Sequence, residues 1–233
     1  MIPLLALLAV APDVNFLKVD IRTREVLERK WPAAETPVPV GSLVKPFLAL
    51  AYGGDWPEFF CRGAADRCWL SRGHGRLKFP AALAQSCNAY FLNLAHAVDP
   101  HTLAVVAARF GIPPPEKDSP EARIGLGDGW RIAPLFLARA YAELATRASE
   151  PRVAEILEGM RMAAQSGTAK AIGGGRMAKT GTAACVAPRR DAGDGFALVF
   201  DPAETPRTVL LVRVHGAPGS AAAKVAARIL ERK

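Results

Sequence analysis

A chain of 233 residues, half of them apolar and 22% charged, carries enough hydrophobic material for one large domain or two packed subdomains, which excludes a disordered polymer. The formal net charge of +8 fits anionic partners. The lysines and arginines are scattered, however, and no aromatic residues alternate with basic clusters, so no nucleic-acid surface is expected.

Residues 1–11, MIPLLALLAVA, are apolar but shorter than the roughly 20 residues of a bilayer span. They read as the hydrophobic part of an export signal, with Ala9-Val10-Ala11 as a small-x-small cleavage pattern, or else as a buried first element. Residues 14–20 are rich in Val, Leu and Phe. With a turn at 20–24 and a return over 25–31 they predict a strand hairpin. Alanine and leucine at helical spacing predict helices over 43–52, 80–97, 101–110, 133–148 and 153–164. Pro113-Pro114-Pro115 breaks the helical run, and Gly173-Gly174-Gly175 turns the chain into strands at 176–184, 195–200 and 208–214. A helix over 220–232 closes it. Terminal strands that meet in one antiparallel sheet, around a helical insertion, make an α+β fold. The sheet subdomain covers about 12–41 and 171–233, the helical one about 42–170, and the crevice between them is a natural ligand site.

Three polar clusters carry the chemistry. Ser42-Leu43-Val44-Lys45 opens a predicted helix, with Pro46 in the first turn, where its missing amide hydrogen costs least. Positions i and i+3 share a face, so Lys45 can reach Ser42 and deprotonate it if burial lowers its pKa. Ser86-Cys87-Asn88 offers a second hydroxyl to relay a proton and an amide to bind a peptide carbonyl. Lys179-Thr180-Gly181-Thr182 lies on a predicted strand, where glycine admits a ligand backbone and the lysine and threonines can hold a carboxylate.

Cys61, Cys68, Cys87 and Cys185 form no C-x-x-C pair, and no histidine lies at ligand spacing from them, so no metal site is expected. Cys61 and Cys68 are close enough for a local disulfide in an exported chain, and buried free thiols are the alternative. Gly73-His74-Gly75 marks His74 as a turn residue, and Trp69, Trp130 and Phe91 read as core.

The ordered set S-x-x-K, S-x-N and K-T-G resembles that of penicillin-binding proteins and serine β-lactamases. The chain is similar to the transpeptidase domain of class B penicillin-binding proteins, elongation-type members in particular. The likeness extends through Val40-Gly41-Ser42 to Phe47, the stretch from Cys68-Trp69 to Ser86-Cys87-Asn88-Ala89-Tyr90-Phe91, Ile124-Gly125-Leu126-Gly127, and Ile132-Ala133-Pro134-Leu135. Leu126 stands where the family often has Gln and Ala133 where it often has Thr, and the segment between S-x-N and K-T-G is short.

The resemblance implies a five-stranded antiparallel sheet flanked by helices, beside a helical subdomain. It implies a D,D-transpeptidase acting on peptidoglycan D-Ala-D-Ala stem peptides outside the cytoplasm. Ser42 would be the nucleophile, Lys45 its base, and Ser86 the proton donor to the leaving group, with Lys179 shaping the local field. Asn88, Thr180, Gly181 and Thr182 would hold substrate, and the amides of Ser42 and Thr182 the oxyanion. No cofactor is implied; β-lactams would be covalent inhibitors, and cell-wall synthesis proteins possible partners. The same fold also serves β-lactamases and β-lactam sensors, and a non-catalytic cell-wall scaffold is the reading from another class.

Overall fold

The computed structural model describes residues 13–184 and 193–232, so the signal-like residues 1–11 and Cys185 lie outside the described residues. Strands β1 (Val14–Asp20) and β2 (Val26–Lys30) form the opening hairpin. The Asp20 carboxylate accepts the amides of Arg22 and Thr23 at 2.9 and 2.8 Å, which closes the turn. Then come β3 (Val38–Pro39), a 3-10 turn at Gly41–Val44, and helix α1 (Lys45–Ala51). Strands β4 (Phe59–Cys61) and β5 (Gly75–Leu77) pair as a short antiparallel ribbon. Helices α2 (Phe79–Ala84), α3 (Asn88–Ala97), α4 (Pro100–Arg109) and α5 (Pro120–Arg123) follow. Strand β6 (Arg131–Ile132) returns to pair with β3, and α6 (Pro134–Thr146) and α7 (Pro151–Gln165) complete the helical part. The chain ends with β7 (Met177–Ala183), β8 (Asp194–Asp201), β9 (Thr208–Val214) and α8 (Gly219–Glu231).

The main sheet runs β2-β1-β9-β8-β7, antiparallel throughout, so the first and last strands meet as an α+β fold requires. Both of its faces are covered. Phe196, Leu198 and Phe200 of β8 face the larger core, while Ala197 and Val199 face a second core under α8. That explains the unbroken apolar reading of β8, which alternates in side but not in polarity. Helix α8 approaches closely because Ala222, Ala223, Ala226 and Ala227 line its buried stripe. Helix α6 packs on the opposite face, against β1 and β9, and α7 lies against β7 with its Ala163 and Ala164 reaching the core under α8.

Proline in the first turn starts α1, α2, α4, α5, α6 and α7, where it forfeits no helical hydrogen bond. Two helices depart from expectation. The 43–52 segment begins as a 3-10 turn because Pro46 has no amide to give to the Ser42 carbonyl; the Lys45 amide takes it instead. The 80–97 segment is two helices, α2 and α3, with a corner at residues 85–87. Ser86 N donates to Leu83 O and Cys87 N to Ala82 O, a helix-ending pattern that needs a left-handed residue. Ser86 supplies it at φ 50, a conformation that glycine adopts far more cheaply. The strain keeps a hydroxyl at the corner.

Candidate active site

Three glycines bring the polar clusters together. A Cβ on Gly41 would lie 2.4 Å from the Thr182 carbonyl oxygen, one on Gly125 2.1 Å from the Gly41 carbonyl oxygen, and one on Gly181 2.7 Å from the Val40 carbonyl oxygen. The turn bearing Ser42, the 124–127 loop and β7 therefore touch backbone to backbone, with no side chain between them. From the other side Tyr141 of α6 donates to the Leu43 carbonyl at 2.7 Å and ties down the same turn.

A cleft of about 430 Å³ opens over this junction. Ser42, Ser86 and Asn88 line one side and Thr180, Gly181 and Thr182 the other, so every sequence-predicted site residue except the two buried lysines faces it. Thr168, Leu126, Trp69 and the start of α8 complete the wall. Sequence reasoning did not single these out as site residues. Thr168 had a signal in its Gly167-Thr168-Ala169 context; its hydroxyl meets that of Thr180 at 2.6 Å.

Lys45 and Lys179 are fully buried beneath the cleft and converge on Ser86. The Lys45 amine donates to the Ser86 carbonyl at 2.9 Å and to Asn88 Oδ1 at 2.7 Å, with Ser86 Oγ at 3.4 Å. Lys179 donates to Ser86 Oγ at 2.8 Å and to the Thr180 carbonyl at 2.7 Å. No carboxylate pairs with either amine among the described residues. Burial therefore dominates: it lowers Lys45 to about 7 and, helped by the charge of Lys45, pushes Lys179 well below the usual lysine range. A neutral Lys45 has two N–H groups, both spent on Ser86 O and Asn88 Oδ1, and one lone pair left to accept a proton. Phe91, 5.2 Å below that amine, is the apolar floor that excludes water from it. Because its oxygen is taken, Asn88 presents its NH₂ group to the cleft.

No Ser42–Lys45 hydrogen bond is present among the described residues; the lysine is held by the Ser86 corner instead. The 3-10 turn still stacks positions 42 and 45, because its three-residue repeat eclipses i with i+3. Gly219 N donates to Thr182 Oγ1 at 3.0 Å, which orients that hydroxyl and leaves its proton free.

Two expectations need correction. Trp69 is not core: it is 54% exposed and walls the cleft, held by a bond from its indole nitrogen to the Gln85 carbonyl at 3.2 Å. Trp130 and Phe91 are buried as expected. The cysteines and histidines, apart in sequence, are not apart in space. Cys61, Cys68, Cys87 and His74 place their donor atoms within 4.8 Å of one another, and the three cysteines are free rather than bridged. Spacing rules missed them because β4–β5 folds as a ribbon against the start of α3. Their soft donor set can hold a metal ion.

An α+β sheet clasped between helices, with a polar cleft at its β7 edge, is the architecture of the penicillin-binding transpeptidases. The chain belongs to the penicillin binding protein transpeptidase domain family, whose model matches residues 65–232. Among solved structures it is similar to Pseudomonas aeruginosa PBP2 in complex with WCK 5153 (TM-score 0.79, 19% identity, 94% of this chain and 70% of that one). It is also similar to PBP2 of Helicobacter pylori in a complex with MreC (0.77, 16%, 94% and 59%). The D,D-transpeptidase domain of a peptidoglycan glycosyltransferase from Eggerthella lenta gives 0.77 at 16% identity, over 94% of this chain and 77% of that one. At these identities the likeness is one of fold. No curated protein matches the chain in sequence. Among the described residues no helix is long and apolar enough to cross a membrane.

Proposed function

We propose that this chain is a penicillin-binding serine D,D-transpeptidase that acylates Ser42 with peptidoglycan stem peptides outside the cytoplasm. The observation that carries the reading is a pair of buried lysines, unpaired with any carboxylate among the described residues, meeting at one strained serine under a cleft lined by Ser42. A scaffold gains nothing from burying two amines at that cost.

In this reading Ser42 Oγ attacks the carbonyl of the penultimate D-alanine while the lone pair of Lys45 takes its proton. The amides of Ser42 and Thr182 stabilise the developing oxyanion, an effect worth about 3 kcal/mol per donor in comparable enzymes. The C–N bond breaks as the Ser86 hydroxyl gives its proton to the departing amine and takes a replacement from the Lys45 ammonium, 3.4 Å away. Lys179 holds that hydroxyl at 2.8 Å for the transfer. Thr180 and Thr182 hold the terminal carboxylate, with Gly181 leaving room for the peptide backbone, and Asn88 donates to a peptide carbonyl. The amine of a second stem peptide then attacks the ester, gives back the proton, and restores Ser42 with a new peptide bond. No cofactor takes part. β-Lactams enter the same route and stop at the ester. Partner proteins of cell-wall synthesis are proposed on the same footing, since one of the similar structures is a PBP2–MreC complex.

The test is incubation with a fluorescent penicillin followed by intact mass. One adduct per chain is expected, and it disappears in Ser42→Ala. Wild-type protein that folds and remains unmodified overturns the reading in favour of a scaffold.

A further inference from the structure

The chain passes from β9 into α8 through residues 215–219, and Pro218 and Gly219 line the cleft at its β7 side. This stretch lies on the sheet main chain to main chain. A Cβ on Gly195 would be 2.3 Å from the Pro218 carbonyl oxygen, and one on Gly219 2.5 Å from the Gly181 carbonyl oxygen. Gly216-Ala217-Pro218-Gly219 has no side chain large enough to pack the turn in place. Its position is therefore set by the bonds at its two ends.

At the tip, the Gly219 amide donates to Thr182 Oγ1 at 3.0 Å. At the root, the His215 amide donates to the Asp13 carbonyl at 3.1 Å. His215 Nδ1 also meets Asp194 Oδ1 at 2.7 Å, the nitrogen donating because an ionised carboxylate only accepts. Asp194 is 1% exposed, and the Arg213 guanidinium pairs with its other oxygen, Nε to Oδ2 at 2.9 Å. A carboxylate buried so deeply is costly unless it is met in this way. Asp194 sits opposite Ala183, one residue beyond the pairing of Gly195 with Thr182. The clasp and the hydroxyl that the turn orients are thus neighbours on the same two strands.

A second observation gives the clasp a chemical role. Among the described residues, none that lines the cleft is charged. A ligand carboxylate there must be recognised by neutral donors, whose hydrogen bonds weaken steeply when misaligned. Thr182 is one of these donors, and the Gly219 amide fixes which way its proton points.

We propose that Asp194 and His215 are positioning residues: their bond holds the 215–219 turn where the Gly219 amide aims the Thr182 hydroxyl at the terminal carboxylate of the substrate. The inference rests on the transpeptidase reading for the identity of that ligand, and deepens it by naming what sets the preference for a free carboxylate over its ester or amide.

Acylation of the full chain by benzylpenicillin and by its methyl ester measures that preference as the ratio of the two second-order rate constants. His215→Leu and Asp194→Ala should each lower the ratio by about 10-fold, the worth of one well-placed hydrogen bond to a charged group, with the ester rate kept within about 2-fold. His215→Asn, whose side-chain N–H can replace the ring donor, should keep the ratio within about 3-fold of wild type. Arg176→Leu breaks the 3.0 Å contact with Asp201 at the other end of β7 and β8, and should lower stability without moving the ratio. In Ser42→Ala, the imidazole signal of His215, one of four histidines, should shift in NMR spectra when a peptide ending in D-Ala-D-Ala is added. It should not shift with the C-terminal amide of the same peptide. A folded His215→Leu or Asp194→Ala that keeps the wild-type ratio overturns the proposal. If neither variant folds, the peptide titration decides, and an unmoved His215 signal while the peptide binds overturns it. Wild type that reacts with neither β-lactam sinks the transpeptidase reading; the clasp then stands if His215 still follows the acid peptide, and falls with that reading if no peptide binds.

Discussion

Lys45 links stability to activity through one proton, and the link can be measured from both ends. An unfolded Lys45 titrates at its ordinary 10.5 and the folded one at about 7. Between these values the unfolded chain holds the extra proton, so stability climbs as pH rises. Below about pH 7 both states are protonated, and the buried ammonium costs the whole difference, about 5 kcal/mol. Lys45→Met removes that cost. It strands the Ser86 carbonyl and Asn88 Oδ1, which together cost about 3 kcal/mol. The variant should therefore be about 2 kcal/mol more stable at pH 6, a rise of about 4–8 °C in Tm. It should lose that advantage by about pH 8, where the falling cost of the buried lysine meets the roughly 3 kcal/mol of the stranded acceptors, and be the less stable of the two at pH 10. It should form no penicillin adduct. In the wild type the acylation rate should follow the neutral fraction of Lys45, falling about 50-fold from pH 7 to pH 5. Stopped-flow fluorescence with a labelled penicillin and thermal melts across pH read the two arms. A rate flat from pH 5 to 8, or a Met variant no better off at pH 6 than at pH 10, refutes the reasoning.

Gly41→Ala puts a methyl 2.4 Å from the Thr182 carbonyl at a φ of +59°, and should cost more than about 2 kcal/mol in chemical denaturation and slow acylation as the cleft spreads. Ser86→Ala and Ser86→Gly should both lower the acylation rate about 100-fold or more, by removing the relay hydroxyl. The Gly variant should be the more stable of the two by about 1 kcal/mol, because only it relieves the left-handed backbone. Trp69→Ala, at an exposed cleft wall, should shift unfolding by less than about 1 kcal/mol. It should raise the concentration of a bulky β-lactam needed for half-maximal acylation while the limiting rate persists. Tyr141→Phe should cost about 1–2 kcal/mol, since it strands the buried Leu43 carbonyl.

Much of the fold could be read from the sequence because its signals are local. Strand β9 spans Thr208–Val214, the predicted residues, since Val and Leu there have no competing pattern. What could not be read is decided across the fold. Ser86-Cys87-Asn88 reads alone as a polar helix break, but that Ser86 takes the left-handed corner between two distant lysines is not local information. Strands β3 and β6 have two residues each and form only by pairing Val38 with Ile132 and Pro39 with Arg131. Trp69 reads as core by composition, yet its neighbours are the rim of a cleft that no local pattern reveals. The motif residues were legible because their chemistry is conspicuous. The lowered basicity of Lys45 was foreseeable only as a condition, since burial is a property of the whole fold.

The contacts of Gly41, Gly125 and Gly181 bear on how such a protein can change under drug pressure. The floor of the cleft is main chain against main chain, and main chain cannot be mutated. Resistance to a β-lactam that still permits cell-wall synthesis must then arise on the walls, at Trp69, Leu126 or Thr168, where side chains are free to vary. Selection with bulky β-lactams should recover substitutions there and none at the three glycines.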